Sequence, residues 1–180
     1  MRITGLDLET TGLDLSKGHR IIEIALLSFD SDTKKPIEEF VKRVDPERSI
    51  DPGASDAHGI VYTDVAGCAK FADIASDVHR ILASSDLVVI HNAGFDAPFI
   101  ASELLDAGLT LPELNIFCTM ENARWATPNG KFPKLGELCF SLGVSYDEGA
   151  AHSADYDTSV MMNCFFKGVA RGFYKPKGLV

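Results

Sequence analysis

Long apolar runs are missing from this chain. Those present are short, such as Ile21–Ile22 and Ala25–Leu27. A helix needs roughly 20 apolar residues to cross a bilayer, so no membrane partner is expected. Closely spaced cysteines are missing too. Cys68, Cys118, Cys139 and Cys164 lie far apart with no C-x-x-C pair. That spacing fits neither a zinc site nor a disulfide framework and reads as four reduced, mostly buried thiols. A secretory leader is missing: Met1-Arg2-Ile3-Thr4 runs straight into a strand-like pattern, so a cytoplasmic location is expected. Repeats, low-complexity tracts and linkers are absent. Positive charge is scarce, with 17 Lys and Arg against 26 Asp and Glu and a net charge of −9. Nucleic-acid binders usually carry a basic face, which argues against such a partner on charge alone. A cluster of metal-binding carboxylates, however, lowers the net charge in the same way.

What is present suits a folded enzyme-sized unit. With 180 residues and 46% hydrophobic side chains, the chain is expected to form a single domain, 1–180, and is too apolar to be disordered. Arg2–Leu8, Arg20–Phe29 and Ile37–Val44 read as strands, with short connections that predict an antiparallel meander. Residues 45–59 hold Pro46, Pro52 and Gly53 and read as loop, after which Thr63-Asp64 could cap a short helix. Phe71, Ile74, Ala75, Val78, Ile81 and Leu82 recur at helical spacing. Leu87–Ile90 is a buried strand, followed by a helix from about Phe95 to Asp106 that Gly108 ends. A fifth strand over Leu114–Cys118 is expected. So are short helices near Met120–Trp125 and Leu135–Leu142, and a last helix carrying Val160, Met161, Cys164, Phe165 and Val169. Three strands followed by alternating helix and strand predict an α/β fold with a mixed sheet.

The chemistry starts at Asp7 and Glu9. Two apart on a strand, they share a face, while Leu6 and Leu8 occupy the other. Close carboxylates repel, and a divalent cation with a taste for oxygen ligands relieves the repulsion. Asp-x-Glu alone is common, and the same residues could simply be solvated. Asp96 follows the apolar strand Leu87–Ile90 within His91-Asn92-Ala93-Gly94-Phe95-Asp96. Ligands of open α/β sheets collect at strand carboxyl ends, although an Asp at a helix start is also favoured by the dipole. His152 and Asp157 bracket the start of the last helix and can point into one pocket. His91 reads as a core or hydrogen-bonding residue, and His19 and His79 as surface. Glu23 reads as one half of an ion pair.

In combination these elements are far more specific. D-x-E-T-T-G, then H-N-A-x-F-D, then H-x₄-D resembles the DEDDh family of 3′–5′ exonucleases, across Asp7 to Asp157. The resemblance implies a ribonuclease H-like fold with a five-stranded mixed sheet flanked by helices. It implies metal ligands Asp7, Glu9, Asp96 and Asp157, two divalent cations (Mg²⁺ or Mn²⁺), and His152 as general base. Asp7 would bridge the metals. Glu9 and Asp157 would help hold the one that carries the attacking water, and Asp96 would support the other. Imidazole titrates near neutral pH, which suits a base. Ser153 stands where a related branch has tyrosine, and Tyr156 is out of register for that role. Thr10, His58, Asn92 and Phe95 match positions beside the substrate, Phe95 being equally readable as a core aromatic. Lys131, Lys134 and a C-terminal patch of Lys167, Arg171, Lys175 and Lys177 are further candidates for phosphate contact or plain solvated charge.

The implied reaction releases nucleoside 5′-monophosphates from a nucleic acid 3′ end, single-stranded DNA foremost. An RNA-trimming exonuclease and a non-catalytic subunit of the same fold stay open as alternatives. A polymerase partner is conceivable, but no tethering extension is seen in this sequence. Both a monomer and a homodimer fit.

Overall fold

The computed structural model describes residues 1–179. Five strands, β1 (Arg2–Thr10), β2 (Ile21–Asp30), β3 (Pro36–Arg43), β4 (Leu87–Ile90) and β5 (Ile116–Cys118), form one sheet in the order β3-β2-β1-β4-β5. β1, β2 and β3 pair antiparallel, while β4 lies parallel to β1 and β5 parallel to β4. Six α-helices accompany it: α1 (Pro52–His58), α2 (Tyr62–Val65), α3 (Phe71–Ala83), α4 (Ala93–Asp106), α5 (Leu135–Leu142) and α6 (Ala154–Ala170). This is the mixed, ribonuclease H-like α/β sheet that the motif order implied. No helix among the described residues is long and apolar enough to cross a membrane.

The alternation along β1 decides what sits where. Leu6 and Leu8 face α3 and α4 in one apolar layer with Ile24, Leu26, Val88 and Ile90. Ile3 faces α5 and α6 in the second layer with Val89 and Phe117. Side chains two apart share a face, so Gly5, Asp7 and Glu9 continue the α6 side. Gly5 lets α6 close on the strand. A Cβ there would lie 2.7 Å from Met162 Cγ and 2.8 Å from Thr158 Cγ2. The missing side chain at Gly5 thus lets Asp157, one residue before Thr158, approach Asp7 and Glu9.

An ion pair with a buried carboxylate and a half-buried guanidinium ties the start of β2 to α4. Glu103, 3% exposed, accepts hydrogen bonds from Arg20 Nε at 2.7 Å, Arg20 Nη2 at 2.6 Å and the Ile21 amide at 3.2 Å. Removing the carboxylate in Glu103→Ala strands the guanidinium and a buried amide. The expected loss is about 2–4 kcal/mol of stability, measurable by urea denaturation.

Two sequence expectations need correction. Residues 52–58 form α1 instead of continuing the loop. Pro52 occupies the first turn, where its missing N–H costs nothing, and Gly59 closes the helix at φ 74°. His19 is buried, 4% exposed, with Nδ1 3.0 Å from Thr11 Oγ1. Gly12 makes room for it, since a Cβ there would lie 2.4 Å from the ring. His79 is half-buried. Smaller differences follow local chemistry. α4 starts at Ala93 because Asn92 takes a left-handed cap at φ 73°, and Glu121–Ala126 is 3-10 and kinked at Ala123. Asp64 caps α2 from inside its first turn by accepting the Val61 amide at 2.9 Å. Cys118, Cys139 and Cys164 are buried free thiols and Cys68 is half-buried, as expected.

Candidate active site

A cleft of about 1180 Å³ opens at the carboxyl ends of β1 and β4. Its walls include all of Asp7, Glu9, Asp96, Asp157 and His152, together with Thr10, His58, Asn92 and Phe95. The four acids arrive from three chain segments. β1 delivers Asp7 and Glu9. α4 delivers Asp96 in its first turn, and α6 delivers Asp157 in its first turn. The start of α6 is pinned by Glu23, which pairs with Arg43 Nε at 2.9 Å and accepts the Ala154 amide at 2.9 Å. The expected ion pair at Glu23 is therefore present. The link to α6 is additional, and it orients the segment that carries Asp157.

The acids are poorly compensated. Burial and then the charges of Asp96, Glu9, Asp157 and Glu23 push Asp7 well above the ordinary carboxylate range. Burial, Asp157, Glu23 and Asp96 push Glu9 up to about 8. Burial raises Asp96 strongly, against partial relief from the backbone amides of its own residue and Leu8. Asp157 is raised by burial, opposed by the His152 amide. That amide donates to Asp157 Oδ2 at 3.0 Å, while the buried Oδ1 has no hydrogen-bond partner among the described residues. Ligand atoms of Glu9, His152 and Asp157 lie within 4.8 Å of one another. An orphaned buried carboxylate oxygen beside further acids is what a divalent cation satisfies, so the residues fit such an ion.

A consequence can be measured. The fold holds a proton on Glu9 up to about pH 8, whereas an unperturbed glutamate gives it up near 4.5. Between those values the folded state binds more protons than the unfolded chain, so stability falls as pH rises. The metal-free protein is expected to melt at least about 5 °C lower at pH 8 than at pH 5.5, on a scale of ~2–4 °C per kcal/mol. Mn²⁺ should recover most of that loss at pH 8 and little at pH 5.5. Scanning calorimetry at the two pH values checks both.

The neighbouring residues have defined partners. His58 Nδ1 accepts the Ile60 amide at 3.0 Å, so Nε2 carries the proton and donates to the Thr10 carbonyl at 3.2 Å. Burial keeps His58 below its ordinary range, consistent with that neutral form. Thr10 is buried, its Oγ1 donating to the Gly12 carbonyl at 2.9 Å. Phe95 packs on Phe99 at 5.0 Å between centroids, which fits its core reading, and it also lines the cleft. His91 hydrogen-bonds Thr119 Oγ1 through Nδ1 at 2.9 Å, as expected, and also borders the cleft; burial lowers it to about 4.

The basic candidates divide. Lys134 lines the cleft, but Lys131 is tied to Glu137 at 2.8 Å. Lys167 lies in the last turn of α6, far along the helix from Asp157, and donates to the Gly143 carbonyl at 2.7 Å. Sequence reading did not place Leu13, Phe132 or Phe140 at the site. All three line the cleft and are 83%, 42% and 88% exposed. Apolar residues on a cleft wall carry no local signature, because periodicity marks which helix face is apolar and not what faces it.

Known proteins resemble this chain over most of its length. The family model described as Exonuclease matches residues 4–165. The 3′-5′ exonuclease DinG of Bacillus subtilis (strain 168) is 33% identical over 159 residues, covering 88% of this chain and 16% of that protein. DNA polymerase III subunit epsilon of Buchnera aphidicola subsp. Schizaphis graminum (strain Sg) is 33% identical over 171 residues, covering 89% of this chain and 71% of that protein. In structure, Exonuclease X in complex with 5′-overhanging duplex DNA superposes with a TM-score of 0.72 at 24% identity, covering 98% of this chain and 96% of the other. That likeness in backbone shows a shared fold, and the family match over residues 4–165 makes the chain a member of the exonuclease family.

Proposed function

We propose that this exonuclease domain, 1–180, uses two divalent cations, Mg²⁺ or Mn²⁺, to remove nucleoside 5′-monophosphates from the 3′ end of single-stranded DNA. One observation carries the reading: four carboxylates from three chain segments converge in one cleft, and Asp157 Oδ1 is left there without a partner. Asp7, Glu9, Asp96 and Asp157 would hold the ions. Bound cations supply positive charge that favours attack of water on a phosphodiester and offsets charge on the leaving oxygen.

This chain's own groups do the rest. His152 stands exposed at the cleft with its backbone amide on Asp157, so its imidazole is at hand to take the proton from the attacking water. His58 holds the Thr10 carbonyl, which keeps the end of β1 in place beside a terminal nucleotide. Asn92 and Phe95 border the same space and offer a polar group and a ring face to that nucleotide. The relative named as a polymerase III subunit makes a polymerase a partner for this domain in our reading. Co-elution with a polymerase III catalytic subunit in gel filtration tests that point.

Digestion of a 5′-labelled single strand tests the reaction itself. The label should shorten stepwise in Mg²⁺ or Mn²⁺, cease in excess chelator, and survive when the 3′ end is blocked. Internal cutting of a circular single strand, or undiminished activity in chelator, would contradict the reading. Matched RNA oligonucleotides in the same assay decide between the sugar classes, since a 2′-OH contact can come from any loop.

A further inference from the structure

We propose that Phe132 and Phe140, with Lys134 between them in sequence, form a stacking track for the nucleobases that precede the terminal nucleotide. The proposal rests on the exonuclease reading of the same cleft and names how an extended strand is held there.

Single exposed apolar side chains are ordinary on protein surfaces. Here two phenylalanines lie on the wall of one acidic cleft. Phe140 is 88% exposed although its helix neighbours Leu138, Cys139 and Leu142 are buried in the α5–α6 layer. α5 therefore packs without it. Phe132 is 42% exposed, and the Arg124 guanidinium carbon lies 4.1 Å from its ring centroid. The Lys134 ammonium forms no salt bridge among the described residues, although its backbone amide donates to Glu137 Oε2 at 2.8 Å and Lys131 nearby is bound to the same carboxylate. In a chain of net charge −9, this wall combines ring faces with the Lys134 ammonium.

That combination fits one occupant best. Bases present π-faces to aromatic rings whatever their sequence, and the intervening phosphates meet Lys and Arg. Continuity adds to it. A strand whose last phosphodiester lies at Asp7 and Asp157 must leave the cleft along a wall, and these residues belong to that cleft. A folded protein partner would also accept the rings, but it has no reason to run into the carboxylates.

The test compares two substrates. One is an oligonucleotide of about ten nucleotides. The other is the p-nitrophenyl ester of thymidine 5′-monophosphate, which has no preceding base. In Phe140→Ala, and separately in Phe132→Ala, the ratio of kcat/KM on the oligonucleotide to kcat/KM on the ester should fall about 5- to 20-fold. Stacking of ~1–3 kcal/mol per base corresponds to about 5- to 150-fold, and exposed platforms lie at the low end. Phe140→Trp should restore the ratio. Lys134→Gln should flatten the salt dependence of oligonucleotide KM by about 0.7 in log–log slope, one phosphate contact on a single strand. Melting temperature monitors folding in every variant. A ratio within twofold of wild type in both alanine variants overturns the track. So does a wild-type dimer that Phe140→Ala splits with the ratio unmoved, which would assign the face to a second copy of the chain. A wild-type protein that hydrolyses neither substrate in Mn²⁺ would instead defeat the exonuclease reading.

Discussion

Asp7→Asn is expected to lower turnover at least about a thousandfold while raising the melting temperature of the metal-free protein. The first effect follows from Asp7 being one of the carboxylates that would hold the cations. Charge stabilisation by bound metal is worth several kcal/mol in the transition state, and every ~1.4 kcal/mol is tenfold in rate. An amide keeps the shape of the side chain and loses its charge. The second effect has the opposite sign because Asp7 is the most crowded acid of the cluster, raised by burial and by four neighbouring carboxylates. The folded wild type must carry that charge or hold a proton that the unfolded chain releases. Asn does neither. The gain should be about 3–8 °C at pH 8, on the scale of ~2–4 °C per kcal/mol, and should shrink toward pH 5. Activity within tenfold of wild type, or a lower metal-free melting temperature, would remove Asp7 from its proposed place.

His152→Ala should reduce kcat by about 10²–10⁴, the usual worth of general-base assistance, with KM changed little. The ring has two possible uses. It lies with Glu9 and Asp157 among groups whose ligand atoms are within 4.8 Å, so it could hold a metal ion instead of taking a proton. Thermal shift separates these uses. A base can be lost with the Mn²⁺-induced rise in melting temperature intact, whereas a lost ligand reduces that rise. Added imidazole gives the second reading, because a small free base can enter the space left by the ring and recover part of kcat. Wild-type turnover in His152→Ala would show that another group accepts the proton. A collapsed Mn²⁺ shift without imidazole rescue would make His152 a ligand.

The parts of this molecule written in short-range pattern were readable from its sequence. The alternation of β1 put Leu6 and Leu8 on one side and Asp7 and Glu9 on the other, and the strand delivers them so. The helical spacing from Phe71 to Leu82 matches α3, and the apolar run Leu87–Ile90 is β4. The gathering of Asp96, His152 and Asp157 with β1 came from motif order, since no local pattern brings residues so far apart together. What escaped depended on contacts at a distance. Pro52 reads as a breaker unless its place in the first turn of α1 is known. His19 looks like surface until Gly12 is seen to vacate the space for its ring. The role of Glu23 in fixing α6 needs the Ala154 amide, 131 residues away in sequence.

The seating of α6 over Gly5 has a consequence for the newborn chain. His152 and Asp157 are among the last parts of the site to be synthesised, while the β1 acids are among the first. Domains fold during synthesis from the N-terminal side, at ~5–20 residues per second. A ribosome-bound fragment ending before residue 150 holds all five strands but lacks α6, which follows His152, covers Gly5 and carries Asp157. Such a fragment presents Asp7, Glu9 and Asp96 with no Asp157 to complete them. On the proposed reading, the set of carboxylates is complete only once α6 docks on β1.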